Sequence, residues 1–174
     1  HHFAVLGFRD PDDAMRLVQV RDFLAGQSWF DVSQHRVNPP VGGPMHWSRL
    51  VDLPIAAIIL LLRPIVGAHW AEVVACVRVP IITMGLLCLA SFWALRRFMG
   101  TGVAVLTVAL LVTCFAILAQ TPPLRIDHHA WQILMAALVS GGIIHPSSRQ
   151  GGIIAGLAMA MWLHMSSAGL PTAA

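Results

Sequence analysis

Thr101-Gly-Val-Ala-Val-Leu-Thr-Val-Ala-Leu-Leu-Val-Thr-Cys-Phe-Ala-Ile-Leu-Ala-Gln120 contains no charged residue, and a run of about 20 apolar residues is what crosses the ~30 Å hydrocarbon core of a bilayer as a helix. Three further apolar blocks surround it. Ala71 to Phe98 is long enough to cross with tilt, with Glu72 and Arg78 in its outer third, where they can face protein or snorkel. Ala130 to His145 is short but apolar, and Gly151 to Ser167 carries Gly152, Gly156 and alternating alanines that predict close approach of a neighbouring helix. With 57% apolar residues, 11% charged residues and a mean hydropathy of +0.73, the chain lies outside the range of soluble domains. The expected fold is all-α, a polytopic integral membrane protein with about four spanning helices.

Residues 9–52 read differently. They hold six of the eight acidic residues and five of the eleven arginines, around the turn-rich Asn38-Pro-Pro-Val-Gly-Gly-Pro44. Pro11 is a helix-start signal, and the mixed apolar and charged pattern from Asp13 to Ala25 predicts an amphipathic helix along the membrane face. A second helix is expected over about 48–66, re-entrant or interfacial because Pro54, Arg63 and Pro64 interrupt it, with a tilted span as the alternative. The domain reading is therefore 1–8 as a tag or the end of a first membrane helix, 9–70 as an external segment, and 71–174 as membrane helices with an external loop at 121–129. Both ends read as cut, and Gly169 to Ala174 as the start of another segment.

Charge supplies an orientation. Arg96-Arg97 and Arg149 lie in connections that contain no acid, so the positive-inside rule assigns both to the cytoplasm. Residues 9–70 and 121–129 then share the opposite face, the periplasm or exterior of a bacterial inner membrane. All cations are arginine, the pI is near 9.3, and the formal charge of +3 is dispersed, which speaks against a nucleic-acid partner. Cys76, Cys88 and Cys114 sit in apolar runs and read as buried free thiols, not disulfides or metal ligands.

Two polar motifs can carry chemistry. In Arg9-Asp-Pro-Asp-Asp13, three carboxylates within four residues are kept ionised by arginines, by water or by a divalent cation; as a helix first turn they also suit the macrodipole. In Arg125-Ile-Asp-His-His129, Asp127 and His129 fall on one side of an extended segment, and carboxylate plus imidazole suits Mn²⁺, Mg²⁺ or Zn²⁺, whereas His128 points elsewhere. A polar cap on the following helix is the plainer reading. The inferred topology brings both motifs to one face.

Asp10-Pro-Asp-Asp-Ala-Met-Arg16, Asp22-Phe-Leu-Ala-Gly-Gln-Ser-Trp-Phe-Asp31 and Pro39-Pro-Val-Gly-Gly-Pro-Met-His-Trp47, followed two spans later by Asp127-His128-His129, resemble the membrane part of oligosaccharyltransferase catalytic subunits and their bacterial relatives, glycosyltransferases of the GT-C class. The resemblance implies a divalent metal, Mn²⁺ or Mg²⁺, held by Asp12, Asp13, Asp127 and His129. It implies Asp12, Asp10 and Asp127 as catalytic carboxylates, with Asp12 favoured over Asp10. A polyprenyl-phosphate- or pyrophosphate-linked sugar is the implied donor, contacted by Arg125, Arg16 and Arg49. His46 and Trp47 are further candidates for lining a glycan site. The family's soluble acceptor-recognition domain has no counterpart in these residues, so the acceptor is open and this portion alone is expected to be inactive.

A membrane transporter or channel with an acidic external vestibule is the competing class. It calls for ionisable groups near the bilayer midplane, whereas the acids here lie at the rim. Of the remaining residues, His69, Trp70 and Trp131 read as interfacial, and His164, Met159, Met161 and Met165 as packing.

Overall fold

A computed structural model of the chain describes residues 6–165. Among them are seven helices: α1 (Pro11–Leu24), α2 (Asp52–Val66), α3 (Ala68–Phe98), α4 (Thr101–Leu111), α5 (Phe115–Gln120), α6 (His129–Ile143) and α7 (Ser148–Met165). The strands are two residues each, β1 (Ser33–Gln34) and β2 (Gly43–Pro44), paired antiparallel with Ser33 opposite Pro44. The chain is thus predominantly helical. It forms two compact units, one of residues 1–79 with 123–128 and the other of residues 80–122 with 129–174.

In the first unit, α1 starts where its sequence signals place it. Asp10 is the N-cap, its carboxylate accepting the Asp12 N–H at 3.0 Å, and Pro11 follows at the first helical position. Arg21 near the other end of α1 donates to Glu72 of α3 through both Nε (2.8 Å) and Nη2 (2.6 Å). Leu17, Val20, Val51, Ile55 and Ile59 are buried, as are Ala71, Ala75 and Cys76 on α3, while the second half of α2 exposes Leu60, Leu61 and Ile65.

Helix α3 is 31 residues long, about 46 Å at 1.5 Å per residue, and among the described residues it alone is long and apolar enough to cross a bilayer. Pro80 lies inside it. A proline has no N–H for the carbonyl four residues earlier, here that of Cys76. That carbonyl instead accepts the N–H of Leu124 at 3.0 Å. Leu124 delivers the bond from φ +74°, a conformation uncommon for a branched side chain.

The second unit corrects one expectation. The uncharged run 101–120 is not one helix: α4 ends at Leu111, and α5 begins at Phe115. The N–H groups of Thr113 and Cys114 reach back only three residues, to Leu110 and Leu111, at 3.2 Å each. The Thr113 hydroxyl donates to the carbonyls of Ala109 (3.2 Å) and Leu110 (3.0 Å). Two carbonyls that would continue the helix are thereby occupied, and Cys114 turns extended at ψ 117°.

Helices α6 and α7 form a tight hairpin, with a different glycine set from the one expected. A Cβ added at Gly151 would stand 2.3 Å from the Gly142 carbonyl oxygen, and one at Gly142 would stand 2.8 Å from the Ala155 nitrogen; Gly152 and Gly156 have nothing within 4 Å. Gly141 faces the other way, where a Cβ would meet Trp93 and Ala94 within 2.8 Å. Met165 is buried, whereas His164 and Met161 are exposed. Of the stretch expected to end a first membrane helix, Leu6 to Phe8 is not helical; residues 1–5, and the segment expected after Gly169, lie outside the described residues.

A buried acid–arginine clip as candidate functional site

Each polar motif is held by the other, within the first unit. Asp13, in the first turn of α1, is buried at 1% exposure. Its Oδ1 accepts the backbone N–H groups of Ile126 (2.8 Å) and Asp127 (3.0 Å), and its Oδ2 accepts from Arg125 at 3.3 Å. Arg125 also donates to Asp10. Burial pushes the Asp13 carboxyl up to about 6 against the opposing pull of Arg125 and the two N–H groups. The Arg125 hydrogen bond, with the Asp12 N–H, instead holds Asp10 below the usual carboxylate range.

One turn along α1, Arg16 is fully buried. Nη1 donates to Asp52 (3.1 Å) and Nη2 to Asp127 (3.3 Å), and its guanidinium lies 4.8 Å from the Trp47 ring centre. Gln19 donates to the other Asp52 oxygen at 3.0 Å. Arg49 is 2% exposed and donates to the Gln19 carbonyl, to Gln27 and to the Asp31 carbonyl. Two buried carboxylates and two buried guanidinium groups therefore compensate one another, the condition under which charges tolerate removal from water.

Asp127 contacts His128 Nδ1 at 2.5 Å, and the His128 ring lies 6.1 Å from that of Trp47. Burial works to raise the Asp127 pKa, but the His128 hydrogen bond and charge, with Arg16 behind them, outweigh it and hold the carboxyl well below its usual range. One ligand-capable atom from each of Asp127, His128 and His129 falls within 4.8 Å of the others. His128 does not point elsewhere as expected. The segment bends at Asp127–His128 into α6 instead of staying extended, so the alternation of a strand does not apply. No family model, characterised protein or solved structure matches this chain.

The residues expected at a metal or substrate thus take distinct places. Asp10, Asp13 and Asp127 belong to the clip, whereas Asp12 is half-buried and its carboxylate makes no hydrogen bond or ion pair among the described residues. Arg16 and Arg49 present no guanidinium surface to a ligand, and Arg125 is 18% exposed in its side chain. Trp47 is buried and His46 exposed, their rings 5.4 Å apart. An open concavity of about 460 Å³ lies among Asp22, Gln27, His35 and Arg36. Sequence reasoning passed over Asp52 and Gln19; a lone acid at the head of an apolar helix was the available signal.

Proposed function

We propose that this chain is the donor-handling membrane part of a metal-assisted GT-C-type glycosyltransferase, polytopic in the bilayer, acting at the external face on a sugar linked to polyprenyl phosphate or pyrophosphate. The observation that carries this reading is the mutual clamping of Asp10–Asp13 and Arg125–His128. Two acidic motifs remote in sequence form one charged centre, with Asp12 left without a side-chain partner among the described residues. The membrane reading draws on the length of α3, the shorter apolar helices α4 and α6, and the exposed Leu89, Leu106, Leu110 and Leu157, apolar surface that lipid covers without cost.

The donor set fits a divalent ion. Asp127 stays ionised at neutral pH, and with His128 and His129 it offers one carboxylate and two imidazoles, a mixture suited to Mn²⁺ or Zn²⁺ more than to Mg²⁺. When bound, the ion supplies charge neutralisation to the departing phosphate. The chain's own residues do the rest. Asp12 orients the acceptor and takes its proton, Arg125 completes the phosphate environment from its exposed edge, and Asp13 fixes the backbone on which Asp127 sits.

The test is Mn²⁺ binding by electron paramagnetic resonance, joined to sugar transfer from a polyprenyl-diphosphate donor in the longest chain that carries these residues. Asp127→Asn and His129→Ala lose bound Mn²⁺ and transfer together. Asp12→Asn keeps Mn²⁺ and loses transfer by about 10²–10⁴-fold, as for a general base. Transfer at parental rate in all three would end this reading, and ion flux in liposomes without glycan modification would put a transport vestibule in its place.

A further inference from the structure

All eight acidic residues of the chain fall in the first unit, together with eight arginines; the second unit holds Arg96, Arg97 and Arg149 and no acid at all. The formal charge of +3 is therefore the charge of those three side chains. Arg97 and Arg149 are tied to one corner, and Arg96, next to Arg97 in α3, lies with its guanidinium 5.8 Å from the Phe92 ring centre. Arg97 Nη1 donates to His145 Nε2 at 2.9 Å, and His145 stacks on Trp93 at 5.6 Å and 22°. An arginine can only donate, so the imidazole accepts at Nε2, and Nδ1 bonds the Ser147 carbonyl at 3.2 Å. The Ser147 carbonyl also accepts the Gly151 N–H at 2.8 Å, which ties the first turn of α7, and Arg149 in it, to the same corner. Arg149 is a cation at the positive end of a helix dipole, an arrangement that a nearby anion relieves. Arg96, Arg97 and Arg149 are all exposed, and so are the adjoining Phe98 (67%) and Ile143 (74%).

We propose that this acid-free arginine corner, joined by the Arg97–His145 hydrogen bond and edged by Phe98 and Ile143, is a docking surface for anionic phospholipid headgroups. Guanidinium groups take phosphate oxygens in pairs, and the apolar residues beside them match acyl chains where free phosphate offers nothing. The inference rests on the membrane reading above, though not on the glycosyltransferase chemistry.

The full chain is to be solubilised with equal amounts of phosphatidylcholine and phosphatidylglycerol and purified, and its retained lipid counted by mass spectrometry. The parent retains phosphatidylglycerol in preference, and added salt weakens the preference. Each arginine lost in the series to R96Q/R97Q/R149Q lowers retention about fivefold, the equivalent of ~1 kcal/mol per surface arginine. R96K/R97K/R149K falls between the parent and the glutamine triple variant, since an ammonium keeps the charge but not the paired contact, and R36Q/R63Q, which removes charge from the first unit, leaves retention unchanged. Equal retention of the two lipids by the parent would overturn the proposal, as would parental retention by the glutamine triple variant or full displacement by inorganic phosphate. Alkaline carbonate washing separates the layers of the argument. A chain that stays with the membrane while showing no lipid preference defeats this surface alone, and a chain that washes off defeats the membrane reading too.

Discussion

The carboxylate of Asp13 accepts the backbone N–H of Asp127 at 3.0 Å across 114 positions of sequence, and that of Ile126 by the same oxygen. A side chain in the first turn of one helix thereby sets the backbone course of the segment before another. Asp13→Ala leaves two buried N–H groups without their acceptor, at about 1–3 kcal/mol each. Thermal unfolding in detergent should show Asp13→Ala losing several kcal/mol and Asp13→Asn less, since an amide oxygen still accepts; equal stability of Asp13→Ala and the parent would refute the clip.

Arg16 is the counter-ion of two buried carboxylates, Asp52 and Asp127. Removing it strands both, and breaking a buried pair in this way costs about 3–5 kcal/mol. Arg16→Ala should therefore destabilise more than the loss of exposed Arg36, which pairs with Asp22 at the surface, where such a pair contributes ~0–1 kcal/mol. Denaturant midpoints of the two variants decide it, and a larger effect at Arg36 would contradict the assignment.

Stability should carry a descending limb in mildly acidic solution. Burial raises Asp13 from 3.8 to about 6, so between those values the folded chain keeps a proton that the unfolded chain has released. Its contribution is present below about pH 4 and lost as pH rises to 6, at most about 3 kcal/mol over that window. Asp10 and Asp127, both lowered, act in the opposite sense: their contribution is present above about pH 4 and lost below it. Asp13→Asn flattens the limb between pH 4 and 6; an unchanged slope in that variant would assign the titration elsewhere.

The α6–α7 hairpin offers a packing test with an internal control. Gly151→Ala drives a methyl group onto the Gly142 carbonyl, whereas Gly152→Ala meets open space. Overpacking costs about 1–3 kcal/mol, while alanine at an open helical position gains up to ~1 kcal/mol over glycine. Opposite signs in the two unfolding midpoints are expected, and matching signs would mean that the hairpin packs differently.

The helices were largely legible in the sequence. The start of α1 follows from Pro11, and α2, α3, α6 and α7 fall within a few residues of the expected stretches, because helix-start signals and apolar runs are local properties. The break after Leu111 was missed because hydropathy counts Thr113 as nearly neutral within an apolar run and is blind to a hydroxyl that bonds two carbonyls of the preceding turn. Spacing marks Gly152 and Gly156 as a possible contact face, whereas the neighbour's direction of approach selects Gly151 and Gly142.

Charge placement by itself determined that residues 9–70 and 121–129 carry seven of the eight acids, and that two polar motifs stand at the starts of helices, since both are matters of which residues occur where. Which carboxylate binds what was decided only in three dimensions. Arg16 and Arg49, outwardly ordinary arginines, became interior counter-ions because Asp52 and Asp127 are buried with them. Asp12 and Asp13, neighbours of one type, parted company because successive positions on a helix point about 100° apart, turning one toward the backbone of residues 126 and 127 and leaving the other at its edge.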